Sequence, residues 1–423
     1  MALLILSGEL DADPDVLGGK AWSIAKMLRH EIPVPPAFVL STEECSRYYD
    51  AGRQIPADVL EQLPRAMVQL ESVTDRTFGR GERPLLVSVR SGAPVSMPGM
   101  MDTVLNLGMT DQVQEALARA TGSAEYAADT RRRFLGQYEK VVGEAAPAEP
   151  WDQLRRAIAA VFDSWQSERA GHYRREQGIS AEGGTAVTVQ AMVFGNLDEQ
   201  SGTGVLFSRD PTGATGHPYG EWLPQGQGED LVSGAFDPRR LDDLASALPA
   251  VHAQLLEAAH RLDQAAGAAQ DIEFTVESGK LWLLQCRRAK VHPRGGPTAD
   301  VAARAGATVL ARGTPACPGF VTGLVVTGVE DAENRALEGE DIILARPTTS
   351  PHDVRAMSVA VGILTETGGA TSHAAVVSRE LGVACIVGCG AGSLADLDGK
   401  VVTLDANHGE VLEGAVPAAA EAR

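Results

Sequence analysis

Residues 365–375 read TETGGATSHAA and place His373 directly after a paired-glycine turn. The residues that follow, AAVVSRELG, have the apolar spacing of a short helix that closes at Gly382, so His373 falls in its first turn with Thr371 and Ser372 as candidate caps. A helix N-terminus lowers the pKa of a histidine and favours an anion beside it. The pattern alone also fits a capped surface histidine; we interpret His373 as a nucleophile that carries a phosphoryl group.

Composition limits the class of protein and its partners. The chain has 423 residues, of which 44% are hydrophobic and 22% charged, as expected for a globular enzyme of two or three domains. Its net charge of -19 argues against nucleic acid or an anionic membrane as the main partner, since both reward basic surfaces. Any phosphate site must therefore be built locally.

Targeting signals and cysteine usage predict a cytoplasmic protein. The N-terminal MALLILSGELDADP has a short apolar run without a basic segment or a cleavage site, and no apolar run reaches the length of a membrane-spanning helix. The five cysteines are an odd number and form no CxxC pair, which suits a reducing compartment and argues against structural zinc.

The distribution of strand and helix patterns predicts an α+β or α/β multidomain fold. Residues 1–290 mix strands with helices, and residues 111–178 within them read as wholly helical. Residues 291–312 are rich in Pro, Gly and Ala and form a predicted linker that reaches about 75 Å when fully extended. Residues 313–415 form the second predicted domain, and 416–423 a disordered tail.

A predicted hairpin, QDIEFTVESGKLWLLQCR (270–287), collects polar side chains on one face. A three-residue loop at 278–280 sets Glu273 opposite Gln285 and Asp271 opposite Arg287, and residues two apart share a strand face. Carboxylate and amide oxygens suit Mg²⁺, and an arginine stabilises charge on a transferring phosphoryl group. Alternating charges alone also fit a solvated hairpin face.

Several of these segments resemble known families. The region of His373, with the following RELG and ACIVGCG, resembles the phosphohistidine motif shared by pyruvate phosphate dikinase, phosphoenolpyruvate synthase and enzyme I of the sugar phosphotransferase system. The hairpin at 270–287 is similar to the metal-binding hairpin of pyruvate phosphate dikinase. Further segments match that family: LLVSVRSGAPVSMPGMMDTVLNLG (85–108), VTVQAMVFGNLDEQSGTGVLFSRDP (187–211) and QGQGEDLVSG (225–234). The resemblance as a whole covers nearly all of the chain.

The resemblance implies an ATP-grasp nucleotide-binding domain with a helical insertion, followed by a small β/α swivelling phosphohistidine domain. It also implies roles for individual residues. The catalytic group comprises His373, Arg287 and Thr371. The Mg²⁺ group comprises Glu273 and Gln285 as ligands, with Asp271 as a supporting acid. The ATP contacts comprise Lys20 and Arg90 on phosphates, Gln190 and Met192 at the adenine, Gly202, Thr203 and Gly204 as a phosphate loop, and Glu229 as a polar contact.

The sequence also departs from the family pattern. About eight residues follow the last strand-like element, whereas the barrel that binds pyruvate in whole dikinases needs about 250, so we expect no barrel within this sequence. Thr367 stands before Gly368 where many relatives carry arginine, which puts one phosphate contact in doubt. The stretch SMPGMMDTVLNLG resembles the dikinase more than the synthase, which favours inorganic phosphate over water as co-substrate.

These observations lead to a hypothesis with alternatives. The predicted function is an ATP-dependent phosphotransferase that phosphorylates His373, releases AMP and passes the phosphoryl group to pyruvate on a separate barrel protein or to another acceptor. One alternative is a kinase resembling rifampicin phosphotransferase, but that family places an acceptor domain where this chain has 22 linker residues. The other is an inactive nucleotide-binding regulatory or scaffold protein. The sequence leaves open whether the chain forms a homodimer.

Overall fold

The structure is a computed structural model that divides the chain into two units. It describes residues 3–11, 13–95, 97, 100–176, 178–181, 183–211, 216–232, 236, 238–290 and 306–418. The first unit comprises Met1–Leu197 with Trp282–Cys286, and the second comprises Asp198–Leu281 with Arg287–Arg423. The division therefore lies inside the predicted nucleotide domain and not at 291–312.

The first unit is built on a five-stranded antiparallel sheet in the order β1-β2-β7-β5-β6. Its central strand β7, AVTVQA, is rich in β-branched residues and is buried along its whole length. A two-stranded parallel pair, β3 and β4, lies apart from this sheet. The strands of the unit are β1 Leu3–Ile5, β2 Ala37–Leu40, β3 Thr77–Phe78, β4 Pro84–Leu85, β5 Val87–Gly92, β6 Thr103–Leu107 and β7 Ala186–Ala191.

Seven helices belong to the described part of the first unit: α1 Pro14–Arg29, α2 Thr42–Asp50, α3 Ala57–Thr74, α4 Asp111–Thr121, α5 Ala124–Val142, α6 Pro150–Ser164 and α7 Glu168–Glu176. The last four confirm the predicted helical stretch. Their boundaries follow from capping, because the Thr110 and Ser123 side chains accept backbone N–H groups of α4 and α5. Both helices end at a glycine in the left-handed region, Gly122 and Gly143.

The second unit begins with a sheet in the order β10-β9-β8-β11-β12. Its elements are β8 Gly202–Phe207, β9 Tyr219–Pro224, α8 Gly228–Val232, β10 Arg239–Arg240, α9 Leu241–Ala247, α10 Pro249–Ala266, β11 Gln270–Glu277 and β12 Lys280–Arg288. Strand β12 is shared in the division, since its residues 282–286 fall in the first unit.

The turn between β11 and β12 is shorter than predicted. It contains two residues, Ser278 and Gly279, both with positive φ (49° and 76°), as a tight hairpin turn requires. The predicted three-residue loop at 278–280 is therefore wrong. Along β12 the buried positions alternate at Leu281 and Leu283, and the next buried position is Cys286. The predicted contact between Asp271 and Arg287 is nevertheless present.

The rest of the second unit is an eight-stranded sheet in the order β13-β20-β19-β15-β16-β17-β18-β14. Strands β15 to β18 run parallel, and the helices between them make the β/α crossovers. The elements are β13 Val309–Arg312, β14 Thr314–Cys317, β15 Phe320–Val326, α11 Val329–Leu337, β16 Ile342–Arg346, α12 Val354–Val359, β17 Gly362–Thr365, α13 His373–Leu381, β18 Ala384–Val387, β19 Val401–Asp405 and β20 Glu410–Glu413.

The predicted boundaries of this domain need correction. Residues 309–312 of the predicted linker form β13, which pairs with β20 because its backbone completes the edge of the sheet. Residues 291–305 lie outside the described residues, as do 419–423 of the predicted tail. Val416 donates its N–H to the Thr403 hydroxyl at 2.9 Å. No helix in the described part of the chain is both long and apolar enough to cross a membrane.

Candidate active site

His373 is the first residue of helix α13, as predicted. Ser372 has the extended backbone of an N-cap, but its side chain does not cap the helix, and its hydroxyl has no hydrogen-bond partner in the described structure. Thr371 does not cap the helix either, because its hydroxyl donates to the Glu221 carboxylate of strand β9. His373 is therefore placed by the backbone of the glycine turn and by its own burial, which leaves 9% of the residue exposed.

The imidazole ring of His373 is held by one nitrogen. Nδ1 lies 2.9 Å from the Thr349 hydroxyl, while the buried Nε2 has no partner in the described parts of the chain. Burial lowers the pKa of His373 from 6.5 to about 4, and the carboxylate of Asp353 opposes this shift. The predicted direction of the shift is confirmed, although the main cause is desolvation and not the helix terminus. The ring is therefore neutral at pH 7.

Thr349 was not predicted, and the sequence does contain a signal for it. It precedes Ser350, which caps a 3₁₀ turn over Pro351–Asp353. The Ser350 hydroxyl accepts the N–H of His352 at 3.3 Å, and the Asp353 carboxylate accepts the N–H of Ser350 at 2.6 Å, in a capping-box arrangement. This S-x-x-D pattern fixes the backbone that carries Thr349.

The glycine turn before His373 is bound by a carboxylate from strand β9. Glu221 accepts the N–H of Ala370 at 3.0 Å, the N–H of Thr371 at 3.2 Å and the hydroxyl of Thr371 at 2.8 Å. Gly368 has a φ of 101°, and a Cβ on Gly369 would lie 2.4–2.7 Å from the Glu221 carboxylate. The paired glycines therefore make room for Glu221, which the sequence did not reveal.

Arg287 forms the predicted contact with Asp271. Its Nε lies 2.9 Å from Asp271 Oδ2, and its Nη1 lies 3.5 Å from Glu380 Oε1. Burial opposes the charge on Arg287, but Asp271, Glu273 and Glu380 outweigh it and raise the pKa of the guanidinium. Burial raises the pKa of Asp271, and Arg287 opposes that shift. Arg287 is thus a charged arginine surrounded by carboxylates.

The predicted Mg²⁺ residues fit the ion unequally. Asp271 already binds Arg287, so it suits the role of supporting acid better than that of ligand. Glu273 and Gln285 are both half-buried, and their oxygens suit a hard cation. Among the residues described, no three His, Cys, Asp or Glu side chains are arranged to hold a metal ion. The assignment of Glu273 and Gln285 as ligands stays a prediction.

The two predicted phosphate contacts of the first unit, Lys20 and Arg90, lie beside and in strand β5. Gly18 interrupts α1 with a φ of 71°, and a Cβ there would lie 1.7 Å from the Gly92 carbonyl oxygen. This close approach sets Lys20 beside Gly92 at the end of β5. Arg90 of the same strand donates from Nη1 to Gln190 Oε1 at 3.3 Å.

The two residues predicted at the adenine are buried. The side-chain amide of Gln190 donates to the Pro35 carbonyl at 3.1 Å, so both ends of this side chain serve the fold. Met192 follows β7, and its N–H donates to the Leu86 carbonyl at 2.9 Å. Their adenine contact stays a prediction.

Gly202, Thr203 and Gly204 do not form a loop. They lie in β8, a central strand paired with β9 on one side and β11 on the other. A Cβ on Gly204 would lie 2.4 Å from the Phe274 ring, and the Thr203 hydroxyl donates to the Phe274 carbonyl at 3.1 Å. The predicted phosphate loop is wrong in structure, because packing against β9 and β11 explains these glycines. Glu229 lies in helix α8, half-buried.

Comparisons with known proteins show which family this chain belongs to. Residues 51–255 match the family model described as pyruvate phosphate dikinase, AMP/ATP-binding domain, and residues 325–409 match that of the PEP-utilising enzyme, mobile domain. A pyruvate, phosphate dikinase from Rhizobium meliloti is 36% identical over 96% of this chain. The chain belongs to the pyruvate phosphate dikinase family. Two further members, from Zea mays and Clostridium symbiosum, are 38% and 36% identical over 95% of the chain.

The two matched ranges contain part of the candidate site. The chain spans about half the length of these relatives, 56%, 52% and 56% respectively. The AMP/ATP-binding match includes Arg90, Gln190 and Glu221, and the mobile-domain match includes Thr349 and His373. The hairpin with Asp271 and Arg287 lies outside both matched ranges. Its assignment therefore depends on the alignment with whole dikinases and on the ion pair in the structure.

Proposed function

We propose that this chain is a dikinase-type phosphotransferase that transfers phosphate from ATP to His373 and releases AMP. The observation that carries the proposal is the state of the His373 ring, which is neutral and has a buried Nε2 without a partner in the described structure. A nucleophilic imidazole must offer a lone pair. Attack by Nε2 requires the tautomer in which Nδ1 carries the proton and donates it to Thr349.

Release of AMP defines which bond breaks. Nε2 attacks the β-phosphorus of ATP, the bond between this phosphorus and the α–β bridging oxygen breaks, and AMP leaves with the electron pair. Nε2 then carries a pyrophosphoryl group, made of the β-phosphoryl group bonded to nitrogen and the γ-phosphoryl group still attached to it. Inorganic phosphate takes the terminal group as pyrophosphate, which leaves one phosphoryl group on His373. Phosphate is favoured over water by the dikinase-like stretch SMPGMMDTVLNLG.

The surrounding residues assist this chemistry in distinct ways. Arg287, which is charged and held by Asp271, stabilises negative charge on the transferring group. Glu273 and Gln285 are the proposed Mg²⁺ ligands, and the ion would neutralise phosphate charge. Lys20 and Arg90 are proposed phosphate contacts, and Thr371 positions the histidine turn through Glu221. Thr367, bonded to the Pro347 carbonyl, supplies no cation where relatives carry arginine.

The final acceptor of the phosphoryl group is proposed from family membership alone. The relatives' printed name indicates pyruvate, which would be bound here by a separate barrel protein or replaced by another acceptor. We also propose a cytoplasmic location, which is supported by the five cysteines, all of them free.

The test is incubation with magnesium and ATP labelled separately at the β and γ positions, with and without inorganic phosphate. Acid-labile β-label is expected on the wild type but not on His373→Ala, with AMP as product and pyrophosphate formed only when phosphate is present. If ATP binds but no label transfers and no AMP forms, the proposal is overturned in favour of a nucleotide-binding regulatory protein.

A further inference from the structure

Helix α13 has the candidate nucleophile at its N-terminal end and an acidic residue in its last turn. His373 is its first residue, and Glu380 is the last but one. A carboxylate in the last turn of a helix is unfavourable, because the terminal carbonyl groups carry partial negative charge. Glu380 is also only 10% exposed, so solvent does not compensate this cost. Some other group must stabilise the acid.

Two cations from the end of the β11–β12 hairpin supply the compensation. Lys290 binds Glu380 Oε2, and it also donates to the Glu380 carbonyl oxygen at 3.5 Å. Arg287 Nη1 approaches the other carboxylate oxygen, Oε1, at 3.5 Å. The helix that begins with His373 therefore ends on the arginine that the proposed function places at a phosphate.

The contacts of Arg287 with Asp271 and Glu380 differ in strength. Its Nε lies 2.9 Å from Asp271 Oδ2, within the range of a good hydrogen bond, whereas the Nη1–Glu380 separation of 3.5 Å is at the limit. Carboxylate and phosphate oxygens bind a guanidinium in the same way. A phosphate that reaches Arg287 therefore displaces Glu380 more readily than Asp271.

We propose that Glu380 competes with nucleotide phosphate for Arg287, so that the Glu380–Arg287 contact and phosphate binding at Arg287 oppose each other. When a phosphate takes Nη1, Lys290 retains Glu380 through its second oxygen and the helix stays attached by one cation. Glu380 thus links phosphate binding at Arg287 to the number of cations that hold the last turn of helix α13. This inference rests on the proposed function, which makes Arg287 a phosphate contact.

The experiment measures binding of MgATP by isothermal titration calorimetry to the full chain and to four variants. Glu380→Gln removes the competing charge and keeps the side-chain size. Glu338→Gln, at the exposed end of α11, removes one negative charge from the same domain away from Arg287 and is the matched control. Arg287→Gln, alone and combined with Glu380→Gln, tests whether the effect passes through the arginine. Thermal unfolding of each variant reports whether it folds.

We expect Glu380→Gln to bind MgATP about two- to fivefold more tightly than wild type, as the removal of a weak ion pair predicts. Glu338→Gln is expected to bind as wild type does, and adenosine, which has no phosphate, to bind wild type and Glu380→Gln equally. In the Arg287→Gln background the substitution of Glu380 is expected to have no effect. Unchanged or weaker MgATP binding by Glu380→Gln, or equal tightening without Arg287, would overturn the inference.

Labelling of His373 separates this inference from the proposed function. If His373 takes up β-label and Glu380→Gln leaves MgATP affinity unchanged, the inference alone fails. If Glu380→Gln tightens binding but no variant labels His373, the proposed function alone fails. If neither wild type nor any variant binds MgATP, both the inference and the proposed function fail.

Discussion

The carboxylate of Glu221 binds Thr371 twice, accepting its backbone N–H at 3.2 Å and its hydroxyl at 2.8 Å. With the N–H of Ala370, this buried acid satisfies three donors of the turn that leads into His373. Backbone N–H groups before a helix are the groups that bind phosphate in many proteins. In the structure described, a protein carboxylate occupies them.

Replacing Glu221 with glutamine should loosen the histidine turn. Hydrogen bonds to a charged group contribute about 1.5–3 kcal/mol, so the free energy of opening of this turn should fall by about that amount. Amide hydrogen exchange of the peptide that contains Ala370 and Thr371 should then become about ten- to a hundredfold faster. Glu257→Gln, on the exposed face of α10, is the control. Equal protection in both variants would show that Glu221 does not hold the turn.

The depressed pKa of His373 predicts a pH dependence of stability. The folded state keeps the ring neutral down to about pH 4, whereas the unfolded chain binds a proton near pH 6.5. Between these values the unfolded state binds more protons, so the stabilising contribution is fully present above pH 6.5 and is lost as the pH falls towards 4. The slope attributable to His373 approaches about 1.4 kcal/mol per pH unit.

The measurement is NMR titration of ¹³C-labelled histidine side chains, with the His373 signal assigned by its loss in His373→Ala. That signal should stay at the neutral position from pH 7.5 to 5. A midpoint near 6.5 would contradict the buried, desolvated environment of the ring.

Thr349 should affect the reactivity of His373 through the tautomer of its ring. Thr349→Val removes the hydrogen-bond partner of Nδ1, worth about 1 kcal/mol, so labelling of His373 by ATP should slow about fivefold. Thr349→Ser keeps the hydroxyl and should restore the rate. ¹⁵N chemical shifts of the His373 ring in the same variants report which nitrogen carries the proton. A slower rate in Thr349→Val without any change of tautomer would assign Thr349 a packing role only.

Gly204 should be required for stability and not for phosphate binding. A Cβ at this position would overlap the Phe274 ring, and overpacking of this kind costs about 1–3 kcal/mol. Gly204→Ala should therefore lower the denaturant midpoint in the absence of nucleotide. Gly228→Ala, where the nearest atom to an added Cβ is 4.0 Å away, should change it little. Unaltered stability with weaker ATP binding would instead support a phosphate contact at Gly204.

The hairpin at 270–287 shows which features alternating residues predict correctly and which they do not. The polar residues at every second position predicted that Asp271 and Arg287 meet, and they do. The turn length was wrong, because alternation along two strands does not fix the number of residues that join them. The phosphate loop was wrong for a related reason, since Gly-Thr-Gly fits equally a loop that approaches phosphate and a strand packed under aromatic rings.

By itself the sequence determined the family, the helical insertion, and the placement of His373 at a helix start behind paired glycines. These depend on local signals: apolar periodicity, capping residues and motifs that stand close together in the chain. Only the tertiary structure revealed Glu221 on the histidine turn, 150 residues away, and Glu380 beside Arg287, because contacts between distant segments leave no local pattern. It also identified burial as the main cause of the neutral state of His373, since desolvation depends on what the fold packs around the ring.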